Sequence, residues 1–180
     1  GHVIKVGLGP LVADWIRRGI VTHVAMNGAA AIHDFELAAF GGTSEDVAAG
    51  LGDGTFGMAE ETGREMNAAI SAAARDHRGM GEGLALYLSA RPERPGDEVS
   101  VLLACHRQGT PVTVHTAVGA EIIHQHPAAD GAAMGATSQR DFLRLAGSLP
   151  DIDQGGVVMN WGSAVIMPEV FLKALTVARN

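Results

Sequence analysis

The sequence contains little cysteine and little lysine, and both shortages restrict what the protein can be. Cys105 is the one cysteine among 180 residues, so no disulfide can form within the chain, and such usage is typical of a reducing, cytoplasmic setting. Because Cys105 lies in the apolar run Val99–Cys105, we expect a buried structural thiol. Lysine occurs only at Lys5 and Lys173, and the net charge is −7. Without a basic cluster, nucleic acid is excluded as a partner.

The overall composition is that of a globular α/β chain. Hydrophobic residues make up 47% and charged residues 18%, which is too apolar for a disordered chain. No uncharged apolar run approaches the roughly 20 residues that a membrane span needs, so no membrane partner is expected. The length of 180 residues fits a single domain, and the missing initiator methionine before Gly1 indicates a fragment of a longer chain.

Apolar runs alternate with amphipathic segments along the chain. We predict strands at residues 2–6, 21–26, 111–115 and 156–159, and helices at 11–18, 58–76, 84–90, 99–107, 138–149 and 168–178. A short helix through Leu51 is expected to be capped by Thr43 or Ser44. Alternating strands and helices predict a Rossmann-like three-layer sandwich, with a mostly parallel sheet and helices on both faces.

Three polar loops are expected to follow three of these strands. The first and most polar is Asn27–Glu36 (NGAAAIHDFE), the second is His115–Pro127 (HTAVGAEIIHQHP), and the third is Asn160–Ala164 (NWGSA). Because ligands bind at the carboxyl ends of parallel strands, we expect the three loops to converge on one cleft. Glycine at Gly28, Gly119 and Gly162 would let a ligand approach the backbone, although each also fits an ordinary turn.

The histidines and acids of these loops leave several kinds of chemistry open. His33 and Asp34 are adjacent, which suits either proton transfer with an orienting partner or a metal ligand with its carboxylate. A metal-dependent hydrolase would use His33, Asp34, His115 and His124. Ser163 follows a predicted strand as a nucleophile would, but it lacks the second flanking glycine of a nucleophile elbow.

In order and spacing, these loops resemble the deoxyhypusine synthase-like family of NAD-binding folds. The resemblance rests on VTHVAMNGAAAIHDFE followed by SEDVAAGL, on PVTVHTAVGAEIIHQH, and on GGVVMNWGSAVIMPEVFLKAL, and it spans most of the chain. It implies NAD as cofactor, a small polar or amine substrate, and sites built across subunit contacts in a homo-oligomer. The synthases carry a lysine just after the last glycine loop, and the matching stretch Ser163–Met167 has none, which argues against deoxyhypusine synthesis itself.

The resemblance assigns roles to particular residues of this chain. The expected dinucleotide-binding residues are Asn27, Gly28, Asp34, Gly119, Asn160, Gly162 and Ser163. His124 is the first candidate for proton transfer and His33 the second, with Glu121 beside them, while Glu36 and His115 are expected to face the substrate. We therefore expect one NAD-binding domain over residues 1–180, acting as a transferase or oxidoreductase. A nucleotide-binding domain without catalysis is the remaining alternative.

Overall fold

The computed structural model describes residues 1–43 and 47–180, and most of the chain is helical. The α-helices are α1 (His2–Lys5), α2 (Gly9–Arg17), α3 (Gly28–Phe40), α4 (Val47–Asp53), α5 (Glu60–Arg75), α6 (Met80–Ala90), α7 (Val101–Gln108), α8 (Gly131–Ser148) and α9 (Ile166–Ala178). Short 3₁₀ helices cover Asp97–Val99, Ile122–Gln125 and Pro150–Gln154. About 63% of the chain is helix. Ser44, one of the two predicted caps of the helix now labelled α4, lies outside the described residues.

The sheet of the described residues has two strands, β1 (Val24–Asn27) and β2 (Val112–His115). They pair in parallel, with Val24 opposite Val112 and Asn27 opposite His115. Two strands about 4.8 Å apart form a strip no wider than one helix, so helices pack on one another as well as on the sheet. The expected Rossmann-like three-layer sandwich is therefore wrong.

Two of the four predicted strands are not strands. Residues 2–5 form helix α1, because a four-residue apolar run fits a buried helical turn as well as it fits a strand, and Ile4 is buried. Residues 156–159 belong to no helix or strand and are exposed, with Val157 at 81%. Within the described residues the sheet therefore has no strands beyond β1 and β2, whereas a three-layer sandwich needs a wider sheet.

The main core lies where α3, α5, α6 and α7 meet around the strands. Phe35, Leu84, Leu88 and Leu102 are fully buried there. Cys105 is also fully buried, which confirms the predicted structural thiol, and burial raises its pKa to about 12. Of the described residues, none belongs to a helix long and apolar enough to cross a bilayer.

A buried carboxylate joins α3 to α7. Asp34 accepts hydrogen bonds from Ser100 Oγ at 2.7 Å, from the Val101 amide at 2.8 Å and from the Leu102 amide at 2.9 Å. These amides belong to the first turn of α7, where backbone donors have no partner inside the helix. Burial raises the pKa of Asp34, while the three donors oppose that rise by stabilising the carboxylate.

We predict that Asp34→Ala lowers the free energy of unfolding by about 3 kcal/mol or more, because it leaves buried donors without an acceptor. The measurement is a urea titration followed by circular dichroism. The matched control is Asp14→Ala, whose carboxylate forms an exposed ion pair with Arg18 and should cost under about 1 kcal/mol. Equal losses in the two variants would contradict the assigned role of Asp34.

Candidate functional site

The first predicted loop is a helix in the structure. β1 ends at Asn27 and α3 begins at Gly28, so residues 28–36 of the NGAAAIHDFE segment are helical. The Asn27 side chain makes this possible, because its Oδ1 accepts a hydrogen bond from the Ala30 amide at 2.9 Å and caps the new helix. The prediction of a polar loop after β1 is therefore wrong, since an N-cap residue was interpreted as the start of a loop.

The three polar residues of α3 point to different surroundings. Asp34 binds the first turn of α7, as described above. Glu36 is buried and accepts a hydrogen bond from Thr62 Oγ1 at 2.9 Å. The His33 ring lies at the opposite side, with Nδ1 3.0 Å from the Gly1 carbonyl oxygen. The helix therefore separates these residues, and the structure does not bring them to one site.

A glutamate and a histidine of the second loop lie against the start of α3. Glu121 Oε1 accepts from the Ala117 amide at 3.0 Å, and its carboxyl group fills the space beside Gly28. A Cβ at Gly28 would lie 2.4 Å from Glu121 Cδ, so a larger residue there would displace the Glu121 side chain. The structure thus brings together Gly28 and Glu121, which are far apart in sequence.

His124 completes this cluster. Its Nδ1 accepts from the amide of Gly119, which has a positive φ of 90°, at 3.0 Å. In the neutral ring the proton is then on Nε2, which lies 3.0 Å from Glu121 Oε2. The two atoms are not aligned for a hydrogen bond, and neither has another partner among the described residues. Both side chains are more than nine-tenths buried.

Burial shifts the two pKa values of this pair toward each other. It raises the pKa of Glu121 and lowers the pKa of His124, because each charged form loses its hydration. The hydrogen bond from Ala117 partly opposes the shift at Glu121. Both shifts therefore favour the uncharged forms of the carboxyl group and the imidazole.

His115 belongs to a different set of contacts, a chain of polar groups across the sheet. Ser148 Oγ donates to the Arg144 carbonyl at 2.9 Å, so its oxygen accepts from His23 Nδ1 at 2.9 Å. Thr113 Oγ1 then donates to His23 Nε2 at 3.2 Å and accepts from His115 Nε2 at 3.0 Å. Both histidines are neutral near pH 7, because burial lowers the pKa of each to about 4.

A large cavity lies against β1. It has a volume of about 940 Å³ and lies between α2, β1, the end of α8, the 156–163 segment and α9. Of the predicted binding residues, Asn27, Asn160 and Ser163 line it. Gly162 stands at its edge in a left-handed turn with φ of 67°, close to Val3. Glu121, His124 and His115 do not line it, so the three loops do not share one cleft.

Several cavity residues were not singled out as ligand-binding from the sequence. Trp15 and Trp161 both line the cavity, with ring centroids 5.3 Å apart in an edge-to-face arrangement. His23 and Asp151 line it as well. Trp15 has the spacing of an ordinary core residue of an amphipathic helix, and nothing local marks Trp161 as its partner. Tryptophan itself was the available signal, since the chain contains only these two.

The ligands of a metal-dependent hydrolase do not come together. His33, Asp34, His115 and His124 contact four different sets of neighbours. Within residues 1–43 and 47–180, no three His, Cys, Asp or Glu side chains form a group able to hold a metal ion. Ser163 Oγ accepts from the Met167 amide at 3.1 Å, so this hydroxyl is engaged by the first turn of α9.

The sequence and the structure of the chain were compared with those of known proteins. No family model, no curated protein and no solved structure matches the chain.

We predict that Gly28→Ala displaces Glu121 and lowers the free energy of unfolding by about 1–3 kcal/mol, since the new methyl group overlaps the carboxyl group. The measurement is urea unfolding, with the His124 ring resonances followed by NMR. Gly135→Ala, in α8 with nothing within 4 Å of the added Cβ, is the control and should be neutral or stabilising. Unchanged His124 resonances in Gly28→Ala would refute the contact.

We predict that His115 makes the fold acid-sensitive between about pH 6.5 and its folded pKa of about 4. In this window the unfolded chain binds a proton at His115 and the folded chain does not, so stability is lost as the pH falls. His115→Gln keeps a donor near the position of Nε2 but cannot titrate. The difference in urea midpoint between wild type and His115→Gln should change across this window and stay constant above it; a constant difference throughout would contradict the prediction.

Proposed function

We propose that the chain binds a dinucleotide, NAD, in the 940 Å³ cavity and acts there on a small polar or amine substrate. One observation carries the proposal: Asn27, Asn160 and Ser163, assigned to NAD by resemblance from sequence segments over 130 residues apart, line the same cavity. Its volume lies within the range of about 300–1,000 Å³ usual for small-molecule sites.

The cavity offers what the parts of a dinucleotide require. The start of α3 at Asn27 and the first turn of α9 at Met167 and Pro168 lie at the cavity, and the positive dipole ends of these two helices suit the pyrophosphate. Trp15 and Trp161 supply aromatic surface for the planar rings. Bound here, NAD would supply hydride transfer, and the protein would supply orientation.

The lining also offers a partner for an amine. Among its described residues Asp151 is the one carboxylate, and it would hold an ammonium group by charge. His23 is neutral and has both ring nitrogens hydrogen-bonded, so it supports the wall rather than acting as a free base. The buried Cys105 thiol suits a reducing, cytoplasmic setting for this proposal.

The Glu121–His124 pair has a separate place in the proposal. It lies behind the start of α3, against Gly28, while the preceding residue Asn27 faces the cavity. In this proposal the pair does not touch a ligand. It fixes the position of the start of α3, and with it the position of Asn27 in the cavity wall. This makes both residues positioning groups in the enzyme that we propose.

We expect NAD to bind with a dissociation constant below about 1 mM, equivalent to about −4 kcal/mol, and to quench intrinsic fluorescence, since both tryptophans line the cavity. Trp161→Ala should weaken binding at least about fivefold by calorimetry, because base–aromatic contacts are worth about 1–3 kcal/mol. Leu51→Ala, an exposed apolar residue on α4, is the matched control and should bind as wild type does.

The arms of this experiment separate the alternatives. Formation of NADH on adding a diamine or polyamine would support an oxidoreductase or transferase, and loss of that activity in Asp151→Asn would support the amine contact. Binding of NAD without turnover would favour a non-catalytic nucleotide-binding domain. No saturable heat and no quenching at millimolar NAD would refute the proposal.

A further inference from the structure

The outer edge of β1 is a strand edge without a neighbour. The Val24 amide donates to the Pro111 carbonyl at 2.9 Å, so the backbone of Val24 faces β2. Because successive residues of a strand direct their backbone groups to opposite sides, the amide and carbonyl of Ala25 face away from β2. The sheet of the described residues has no strand on that side, and no backbone hydrogen bond from another described segment reaches Ala25. Ala25 lines the 940 Å³ cavity, so the cavity wall offers backbone groups with which a further strand can pair.

A second unpaired segment lines the same cavity. We call it the strap, and it covers residues 157–161 (VVMNW). All five residues are exposed, and no backbone–backbone hydrogen bond of the described residues involves them. Charged residues and proline are the usual protection of a free strand against pairing, and both β1 and the strap lack them. Nothing in either segment therefore opposes their pairing.

The strap begins near the start of β1. Gly156, the residue before the strap, packs on Ile152, because an added Cβ would lie 2.9 Å from the Ile152 Cα. Ile152 belongs to the 3₁₀ helix that follows α8. At the end of α8, Ser148 Oγ lies 2.9 Å from Nδ1 of His23, the residue that precedes β1. The first residues of the strap and of β1 are thus held at the same end of the cavity.

The strap ends near the end of β1. Gly162, the residue after the strap, would place an added Cβ 3.2 Å from Val3 Cγ2. The same N-terminal segment places the Gly1 ammonium group 3.4 Å from Oδ1 of Asn27, the last residue of β1. The strap therefore runs in the same direction as β1, and parallel pairing of the two requires no reversal of the chain.

The strap combines the composition of a strand with a glycine near each end. Gly155 and Gly162 have positive φ angles of 95° and 67°, and glycine can change its backbone angles at little cost. Such residues absorb the rotation when a segment closes. Between them, Val157 and Val158 are β-branched, as strands prefer, and apolar side chains occur at both odd and even positions. This is the pattern of a strand that is buried on both faces.

We propose that the strap closes on the outer edge of β1 as a third, parallel strand and thereby controls access to the cavity. In the closed state the amide and carbonyl of Ala25 pair with the backbone of the strap, and the apolar side chains of the strap leave water. Closure fills the space between the strap and β1, which is the space that a ligand would occupy. The open arrangement in the structure is the ligand-accessible state, and the fold stays mostly helical in both states.

The test is amide hydrogen exchange, followed by NMR on the ligand-free protein. We expect the Ala25 amide of the wild type to exchange at least about tenfold more slowly than in a variant whose strap cannot pair. The Val24 amide, which donates to Pro111, is the internal reference and should keep its protection in every variant.

Two proline variants of the strap serve as controls for each other. Val157 and Val158 are adjacent and exposed, and in a strand their amides face opposite sides. Proline is tolerated on an edge strand where the lost amide faces solvent, whereas it removes a hydrogen bond where the lost amide faces the neighbouring strand. We therefore expect only one of Val157→Pro and Val158→Pro to accelerate exchange at Ala25. Equal acceleration by both variants, or acceleration by neither, would overturn the proposal.

Two further results would also overturn it. One is exchange of the wild-type Ala25 amide at the rate of an unprotected amide. The other is protection that occurs only in a dimeric fraction from sizing chromatography, because the strap of a second copy would then occupy the edge of β1. None of these measurements involves NAD, so they do not depend on the proposed function.

Control of access is tested with NAD as the probe, and this arm rests on the proposed function. If the closed state is favoured about tenfold, it weakens ligand binding by about the same factor. The proline variant that cannot pair should therefore bind NAD about tenfold more tightly than the other proline variant. Equal affinities would overturn the control of access. Absence of NAD binding in both variants would instead refute the NAD site, and the exchange result alone would then decide whether the strap closes.

Discussion

The hydrogen bonds of the Asp34 carboxylate fix the geometry on which the rest of the structure depends. Asp34 lies on α3, which follows β1 without a loop, and it binds the first turn of α7, which leads into β2. The carboxylate therefore fixes the helix after one strand relative to the helix before the other. Since β1 and β2 are separated by more than 80 residues, this contact reduces the conformational freedom that their parallel pairing would otherwise have to overcome.

Asp141 has the same kind of role on the other side of β2. It lies on α8, downstream of β2, and accepts from a β2 amide and from the start of α6. Both aspartates use a buried carboxylate to satisfy backbone donors that neither a helix nor a two-stranded sheet can satisfy internally. Each carboxylate thus fixes the start of one helix against another helix, α7 against α3 for Asp34 and α6 against α8 for Asp141.

The helices were more predictable from the sequence than the sheet. The helices around residues 11–18, 58–76, 99–107 and 168–178 are confirmed to within a few residues, because amphipathic periodicity over two or more turns is a strong local signal. Strands of four residues carry little periodicity, so residues 2–5 and 156–159 were wrongly predicted as strands. Ser138, where the sequence predicts that a helix begins, is inside α8 and its hydroxyl donates to the Val114 carbonyl, while Asp130 caps the helix.

The site was partly predictable for the same physical reason. Asn27, Asn160 and Ser163 are polar residues within two positions of a glycine at segment ends, and all three line the cavity although the segment before Asn160 is not a strand. Asp34 and Glu36 lie on the buried face of α3, and nothing in the loop interpretation distinguished them from ligand-binding acids. The contact between Arg78 and Arg140 could not be predicted, because these residues are 62 positions apart and only the packing of α8 near the start of α6 brings them together.

Helix α8 also explains how one element can support two separate surfaces. Arg140, Asp141 and Arg144 lie against residues 78–82 at the start of α6, whereas Leu145 and Ser148 line the 940 Å³ cavity. Ser148 donates its hydroxyl proton to the carbonyl of Arg144, and this donation determines that His23 must give its Nδ1 proton to Ser148. The backbone carbonyl of Arg144 thus determines the tautomer of His23 in the cavity wall, while the Arg144 side chain binds Glu82 on α6. The positive charge of Arg144 acts in the same direction as burial, because both lower the pKa of His23 and keep its ring neutral.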